Sequence, residues 1–455
     1  MTESDLAALT ATDAAARIAS GAISAEQYVR ACLARIEAVE PEIRAFVHLD
    51  PGYAIEQARR LDDHRLQGRP LGPLHGIPVA IKDIIDTEDY PTEFGSPLFA
   101  GRRTRSDAAL VAKLRAAGAV IIGKTVTTEF AYFHPGKTRN PHDTDRTPGG
   151  SSSGSAAAVA SGMVPLAIGT QTNGSIIRPA AFCGVFGAKP SRGLVPRTGV
   201  LPLSPTLDVA GPFARTLPDL ALALEVIAGY DAGDPDTRPP FAVPNFRAFA
   251  AEDFPIEPRF AFVRTPAWDK AEPATQQGFE QLADKLGENC IRIDLPELYA
   301  DAWDIHRTIM SAEMAHNLGT IVDRGGDGVS EVLRKLVADG RAVTAVQYQR
   351  ARDEAREMAQ SLEGYFEHCN AIITPAAPGV APMGIDATGN PVFCTLWTLA
   401  GLPSLSLPLL SDEDLPIGVQ LVGAPNDDAR LLRHAKWLIG KVAQGPKKEK
   451  RRRSK

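Results

Sequence analysis

The sequence predicts an α/β fold in which a central β-sheet is covered on both faces by helices. Two observations carry this. From Ile77 onward, short apolar runs of strand length alternate with amphipathic stretches of helical length. The strand-like runs are apolar at successive positions, as expected when neither face of a sheet meets water. A chain of 455 residues, 44% hydrophobic and 23% charged, has the length and composition to bury such a sheet in one large domain.

Taken in order, residues 1–70 read as a helical N-terminal arm. Ser24-Ala-Glu-Gln27 has the pattern of a capping box, and Tyr28, Cys32, Ile36 and Val39 follow at helical spacing. Pro41 is expected to close that helix, and Tyr53–His64 to form another. A main domain then spans 71–443. Its strands are expected at Ile77–Ile81, Ala119–Ile122, Val164–Ile168, Val185–Ala188, Arg259–Val263, Ile291–Ile293, Ile372–Pro375, Ser404–Pro408 and Gly418–Val422. Its helices are expected at Asp107–Ala117, Pro218–Ile227, Ala274–Leu286 and Asp427–Val442. Within 230–370, Tyr230–Pro258 reads as a Pro- and Asp-rich connection. The long helical patterns Leu298–Val322 and Val343–Cys369 are expected to form a cap over the site.

Charge and cysteine content exclude several function classes. The final run, Lys447–Lys455, carries seven positive charges and one negative against −6 for the whole chain, so the body sits near −12. We read residues 444–455 as a solvated basic tail, and expect neither a nucleic-acid nor a membrane partner. No apolar run reaches the roughly 18–20 residues that span a bilayer. The start, MTESDLAALT, lacks the features of a signal peptide, so a cytoplasmic location is expected. The five cysteines are scattered and odd in number, and the nine histidines form no ligand pair. No disulfide framework, metal or cofactor is expected.

The chemistry concentrates in Thr147–Pro190, where eight Gly and six Ser punctuate apolar runs and no charge precedes Arg178. A flexible linker would not contain runs such as Met163–Ile168, so this stretch reads as backbone packed tightly in a core. Ser151 and Ser175 each follow a glycine directly. The turn at Asn173-Gly174-Ser175 suits a nest of backbone N–H groups that could hold an oxyanion, with Gly174 at positive φ; a helix N-cap serine is the alternative. Lys82 ends the run Pro-Val-Ala-Ile-Lys. Buried, its amine would lose its proton readily enough to act as a base; at a frayed strand end it would reach for solvent. The residues alone leave these alternatives open.

Together with their flanks, these residues resemble the amidase signature family. The matching segments are Gly76-Ile-Pro-Val-Ala-Ile-Lys-Asp, Gly123-Lys-Thr with Glu129-Phe-Ala, Asn140-Pro and Gly149–Pro190. Thr374-Pro-Ala-Ala-Pro, Leu402-Pro-Ser-Leu-Ser-Leu-Pro and Leu415-Pro-Ile-Gly-Val-Gln follow. The resemblance covers about residues 70–430 and implies the amidase signature fold, with a central mixed sheet. It further implies a Ser-cisSer-Lys triad, with Ser175 as nucleophile, Ser151 beside a non-proline cis peptide as proton bridge, and Lys82 as base. The N–H groups of Thr172, Asn173, Gly174 and Ser175 would form the oxyanion hole. An unshifted lysine is only about 0.04% neutral at pH 7, so this role requires that Lys82 be buried.

The chain departs from the frequent family pattern G-T-D-x-G-G-S-I-R. Gln171 replaces the Asp, Asn173 the first Gly, and one residue is added before Arg178. The resulting T-Q-T-x-G-S-x-I-R-P-A-A resembles malonamidase-like bacterial amidases, in which the matching arginine grips a substrate carboxylate. Arg178 is therefore expected either to clamp a carboxylate or to tie down its loop. Tyr132 and Phe133, with Trp397 near the entrance, would suit a hydrophobic acyl group. Cys183 reads as a small buried hydrophobe. The expectation is an enzyme hydrolysing a small-molecule amide, with esters or carbamates possible, as a homodimer or monomer. The alternatives are a glutaminase-type subunit of a tRNA-dependent amidotransferase complex, or a non-catalytic scaffold.

Overall fold

The structure, a computed structural model, describes residues 2–237, 243–254 and 256–443; the basic tail predicted at 444–455 lies outside them. Among the described residues eleven strands form one sheet. They are β1 (Phe46–Leu49), β2 (Pro78–Lys82), β3 (Val120–Thr125), β4 (Leu166–Gln171), β5 (Phe186–Lys189) and β6 (Val209–Ala214). Then come β7 (Phe260–Arg264), β8 (Cys290–Asp294), β9 (Ala371–Pro375), β10 (Ser404–Asp412) and β11 (Leu415–Val422). The order across the sheet is β1-β3-β2-β4-β6-β5-β10-β11-β9-β7-β8.

The sheet is mixed. β2 runs parallel to β3 and β4, with Val79 facing Ile121 on one side and Leu166 on the other. From β4 through β6, β5, β10 and β11 to β9 every pairing is antiparallel, and β9, β7 and β8 are parallel again. Every residue of β2, β3, β4 and β6 is buried, so helices cover both faces where these strands lie. Among the described residues no helix is long and apolar enough to cross a membrane.

Two strands escape a pattern reading, for different reasons. β1 is four residues at the sheet edge, only its first residue buried, and it places a strand inside the N-terminal arm. β6 reads Val-Ala-Gly-Pro-Phe-Ala, and a proline argues against a central strand because it cannot donate to the ladder. Yet Pro212 sits opposite Ile168 in the middle of the sheet. Helix boundaries shift too. Ser24 caps Ala25–Ile43 with the expected reciprocal box, but Pro41 lies inside the last turn, and the helix ends where Arg44 turns left-handed. A helix at Glu331–Ala342 escapes the pattern reading as well; it packs with Ala302–Gly325, in the region expected to form the cap.

Candidate active site

β2 and β4 deliver the first pair of groups. Lys82, at the end of β2, is wholly buried, so the solvent-seeking alternative falls away. Its Nζ lies 2.7 Å from Ser151 Oγ and 2.8 Å from Thr170 Oγ1 on the neighbouring strand. Burial pushes the Lys82 pKa well below the usual lysine value, and the charge of Asp208 only partly opposes this. Nζ donates to both hydroxyls, and among the described residues no carboxylate touches it; deprotonated, the same amine could keep its bond to Thr170 and accept the Ser151 proton.

Ser151 follows a cis peptide bond after Gly150. The segment is pinned to β4 in both directions: Ser152 Oγ donates to Thr170 O at 3.1 Å and accepts from Thr170 N at 3.2 Å. The glycines around it serve close approach. A Cβ at Gly154 would come within 2.2 Å of Ala45 O and 2.5 Å of Val126 N, so the helix Ser153–Ala160 could not sit where it does with any other residue there. The stretch is core backbone rather than linker.

Ser175 precedes the short helix Ile177–Phe182 and lines one cavity with Ser151, Thr172, Asn173, Gly174, Arg178, Tyr132 and Phe133. Leu203, Met310, Met314, Thr388 and Pro391 are also among its walls. Among the described residues Ser175 makes no side-chain hydrogen bond, and no backbone carbonyl receives the N–H groups of Thr172, Asn173, Gly174 or Ser175. A free hydroxyl beside four unengaged donors is the arrangement an oxyanion would fill. The cavity measures about 20 Å³, room for a water-sized group.

Gln171 explains the departure from the family's aspartate. Its Oε1 accepts from Ile176 N at 2.8 Å and Ile177 N at 3.0 Å, while Nε2 donates to Thr398 Oγ1 at 2.9 Å. A carboxylate could do the first but not the second.

Two expectations need correction, and a third stands open between its alternatives. Gly174 is not in the positive-φ region; it is small because a Cβ would meet Pro391 Cβ at 3.0 Å and Cys394 Sγ at 3.1 Å. Trp397 is not at an entrance. It is fully buried in the main core, on the same helix, Val392–Leu399, as Thr395 and Thr398, which bond the Ser175 loop. The open one is Arg178, which meets no carboxylate among the described residues. Its guanidinium donates to Gly389 O at 2.9 Å, Gly150 O at 2.7 Å and Thr388 Oγ1 at 3.1 Å, and burial lowers its pKa to about 10. The arginine ties down the Ser151 turn, yet still borders the cavity and sits 5.7 Å from the Phe133 ring centroid.

The pattern reading misses Thr170, Asp208, His306 and Thr398. Asp208 is the one with a visible signal, since a lone carboxylate stands in the apolar run Leu-Asp-Val-Ala. It accepts from Thr172 Oγ1 at 2.6 Å and from Leu203 N and Ser204 N at 2.9 and 2.8 Å; burial raises its pKa to about 6. Among the described residues no three His, Cys, Asp or Glu side chains gather as metal ligands.

A family model described as Amidase matches residues 27–432. The chain is a member of the amidase family. It is accordingly an amide-hydrolysing enzyme, with a fold like that of solved relatives. Peptide amidase from Stenotrophomonas maltophilia, 31% identical, superposes with a TM-score of 0.85 over 96% of this chain and 97% of that one. A structure described as a vestigial protein complex bearing on the origins of an s-triazine catabolic enzyme, 30% identical, gives 0.88 over 94% and 98%. Among curated proteins, one named as a subunit of glutamyl-tRNA(Gln) amidotransferase, from Chloroflexus aurantiacus, is 40% identical over 93% of this amidase and 95% of its own length.

That last likeness corrects two expectations. The malonamidase-like motif does not set the relationship: relatives at 34–40% identity are named as the same amidotransferase subunit, 40% in Chloroflexus aurantiacus and 35% in Salinispora arenicola. The partner expectation of a homodimer or monomer acting alone on a small molecule falls with it, since those relatives are subunits of a larger assembly. Three deviations around one serine say less about kinship than identity along the whole chain.

Proposed function

We propose that this amidase is the amide-hydrolysing, glutaminase-type subunit of a tRNA-dependent amidotransferase complex, working through a Ser175–Ser151–Lys82 relay. The observation that carries the chemistry is the 2.7 Å contact between the buried Lys82 amine and Ser151 Oγ at the edge of the cavity lined by Ser175. The subunit names of relatives that match end to end support the assembly.

In this reading, substrate entry brings the Ser175 hydroxyl to Ser151. Ser175 Oγ attacks the carboxamide carbon as its proton passes through Ser151 to neutral Lys82. The N–H groups of residues 172–175 hold the resulting oxyanion; one such donor is typically worth about 3–4 kcal/mol. Collapse breaks the C–N bond, Lys82 returns its proton through Ser151 to the leaving nitrogen, and ammonia departs. Water then repeats the sequence on the acyl-enzyme and releases the acid.

A second reading of the acyl group follows from the cavity walls, which contain no Asp or Glu among the described residues to meet the α-ammonium of free glutamine. Tyr132, Phe133, Leu203, Met310 and Met314 suit a carboxamide carried on an apolar or peptide chain instead.

The test is affinity purification of the tagged chain from its native cells, with ammonia release measured on glutamine and on peptide carboxamides. Expected are co-purifying partner chains, faster release in their presence, and no release by Ser175→Ala. Full activity of the isolated chain with no partner captured would sink the assembly, and an active Ser175→Ala protein would sink the nucleophile.

A further inference from the structure

Two side chains outside the relay hold the peptide units that carry the oxyanion donors. His306, on the cap helix Ala302–Gly325, is buried, and its Nε2 lies 3.0 Å from Thr172 O. A carbonyl only accepts, so the ring carries its proton on Nε2. Burial lowers its pKa to about 4, which keeps it neutral at ordinary pH. Thr398, on Val392–Leu399, donates from Oγ1 to Asn173 O at 2.5 Å and accepts from Gln171 Nε2. Neither side chain lines the cavity.

Peptide geometry gives these contacts a direction. In a planar trans unit the C=O and the following N–H point opposite ways. Drawing Thr172 O toward His306 therefore turns Asn173 N–H away from the His306 ring, and drawing Asn173 O toward Thr398 turns Gly174 N–H away from the Thr398 hydroxyl. Among the described residues neither N–H has a backbone acceptor, and both belong to cavity-lining residues. Two further bonds stop the units from swinging back: Thr172 Oγ1 to Asp208 at 2.6 Å, and Thr395 Oγ1 to Asn173 Oδ1 at 2.9 Å.

We propose that His306 and Thr398 are positioning residues, each aiming one oxyanion N–H by holding the carbonyl oxygen of the same peptide unit. This rests on the reading of Ser175 as nucleophile. It gives the helix Ala302–Gly325 a part in aligning the oxyanion donors.

A fluorophosphonate probe tests it without knowledge of the substrate, because phosphonylation of Ser175 also develops negative charge beside the loop. Saturation kinetics of labelling, read by mass spectrometry at Ser175, separate kinact from KI. His306→Leu and Thr398→Val should each lower kinact about 10–100-fold, less than the 10²–10³ typical of losing a donor outright, with KI within about threefold. His306→Gln and Thr398→Ser, which keep a donor at a similar reach, should recover most of the rate. His306→Asn, polar but shorter, should not, and it serves if leucine impairs folding. Wild-type kinact in His306→Leu and Thr398→Val, or a raised KI with kinact unchanged, would overturn the proposal. No labelling of the wild-type protein would instead remove the nucleophile reading on which it stands.

Discussion

Two lysines end up fully buried on neighbouring strands of this sheet, and their partners differ. Lys82 closes β2 and Lys124 lies in the adjacent parallel strand β3, where Ile81 is the register partner of Lys124 and Lys82 that of Thr125. Side chains alternate along a strand, so the two amines leave opposite faces. Lys124 Nζ lies 3.2 Å from Asp83 Oδ1 and donates to Thr92 Oγ1 and Pro91 O. Among the described residues Lys82 hydrogen-bonds to the hydroxyls of Ser151 and Thr170 alone. Burial lowers both pKa values, but the charge of Asp83 opposes it for Lys124, whereas Lys82 is pushed well down. A buried lysine with a carboxylate is a structural ion pair; one with hydroxyls alone has no counter-charge to hold its proton, which is what the proposed base role requires.

The comparison breaks most sharply on activity. Lys82→Met should lower kcat/KM about 10⁴-fold, the upper end for loss of a general base, measured as ammonia release near neutrality. A loss under about tenfold would show that Lys82 takes no proton. Lys124→Met should instead act on stability. Removing one partner leaves Asp83 as an uncompensated buried charge, a cost of about 3–5 kcal/mol in urea unfolding. The folded fraction should keep turnover within about tenfold, and a double Asp83→Leu, Lys124→Met change should recover much of the loss. Equal activity losses at both lysines would erase the distinction.

The two lysines also show how far the sequence can be read. The strands bearing them are legible, because Pro-Val-Ala-Ile and Val-Ile-Ile are apolar runs of strand length. What surrounds each amine is not legible from spacing, since Thr170 and Ser151 reach Lys82 from 88 and 69 positions away. Local periodicity carries no information on contacts that long. The glycine-serine stretch announces itself by composition, and the family resemblance supplies roles for Ser151 and Ser175. His306 and Thr398 give no such signal: a histidine on a cap helix and a threonine on a late helix matter here only because both fold over the same short loop before Ser175. Trp397 misleads in another way. Tryptophan is a residue type that suggests a ligand, but this one is committed to the core, whereas Arg178 holds carbonyls, the loop-tying alternative of the sequence reading, and still borders the cavity.

The smallest effect sharpens the comparison on stability alone. Burial lowers the Lys82 pKa below its unfolded value of about 10.4. The chain must therefore release a proton from Lys82 on folding wherever the pH lies between the two values. Below the unfolded pKa this costs stability, and the cost grows as the pH falls, by up to about 1.4 kcal/mol per unit, until the folded pKa is reached. Above the unfolded pKa it vanishes. Lys82→Met removes the titrating group, so it should raise the unfolding midpoint, and by more at pH 6 than at pH 9. Lys124→Met, which leaves the buried Asp83 without its partner, should give no such gain at either pH. A Lys82→Met gain that is flat between pH 6 and pH 9 would mean that Lys82 stays charged when buried, and an amine held charged there could not serve as the base.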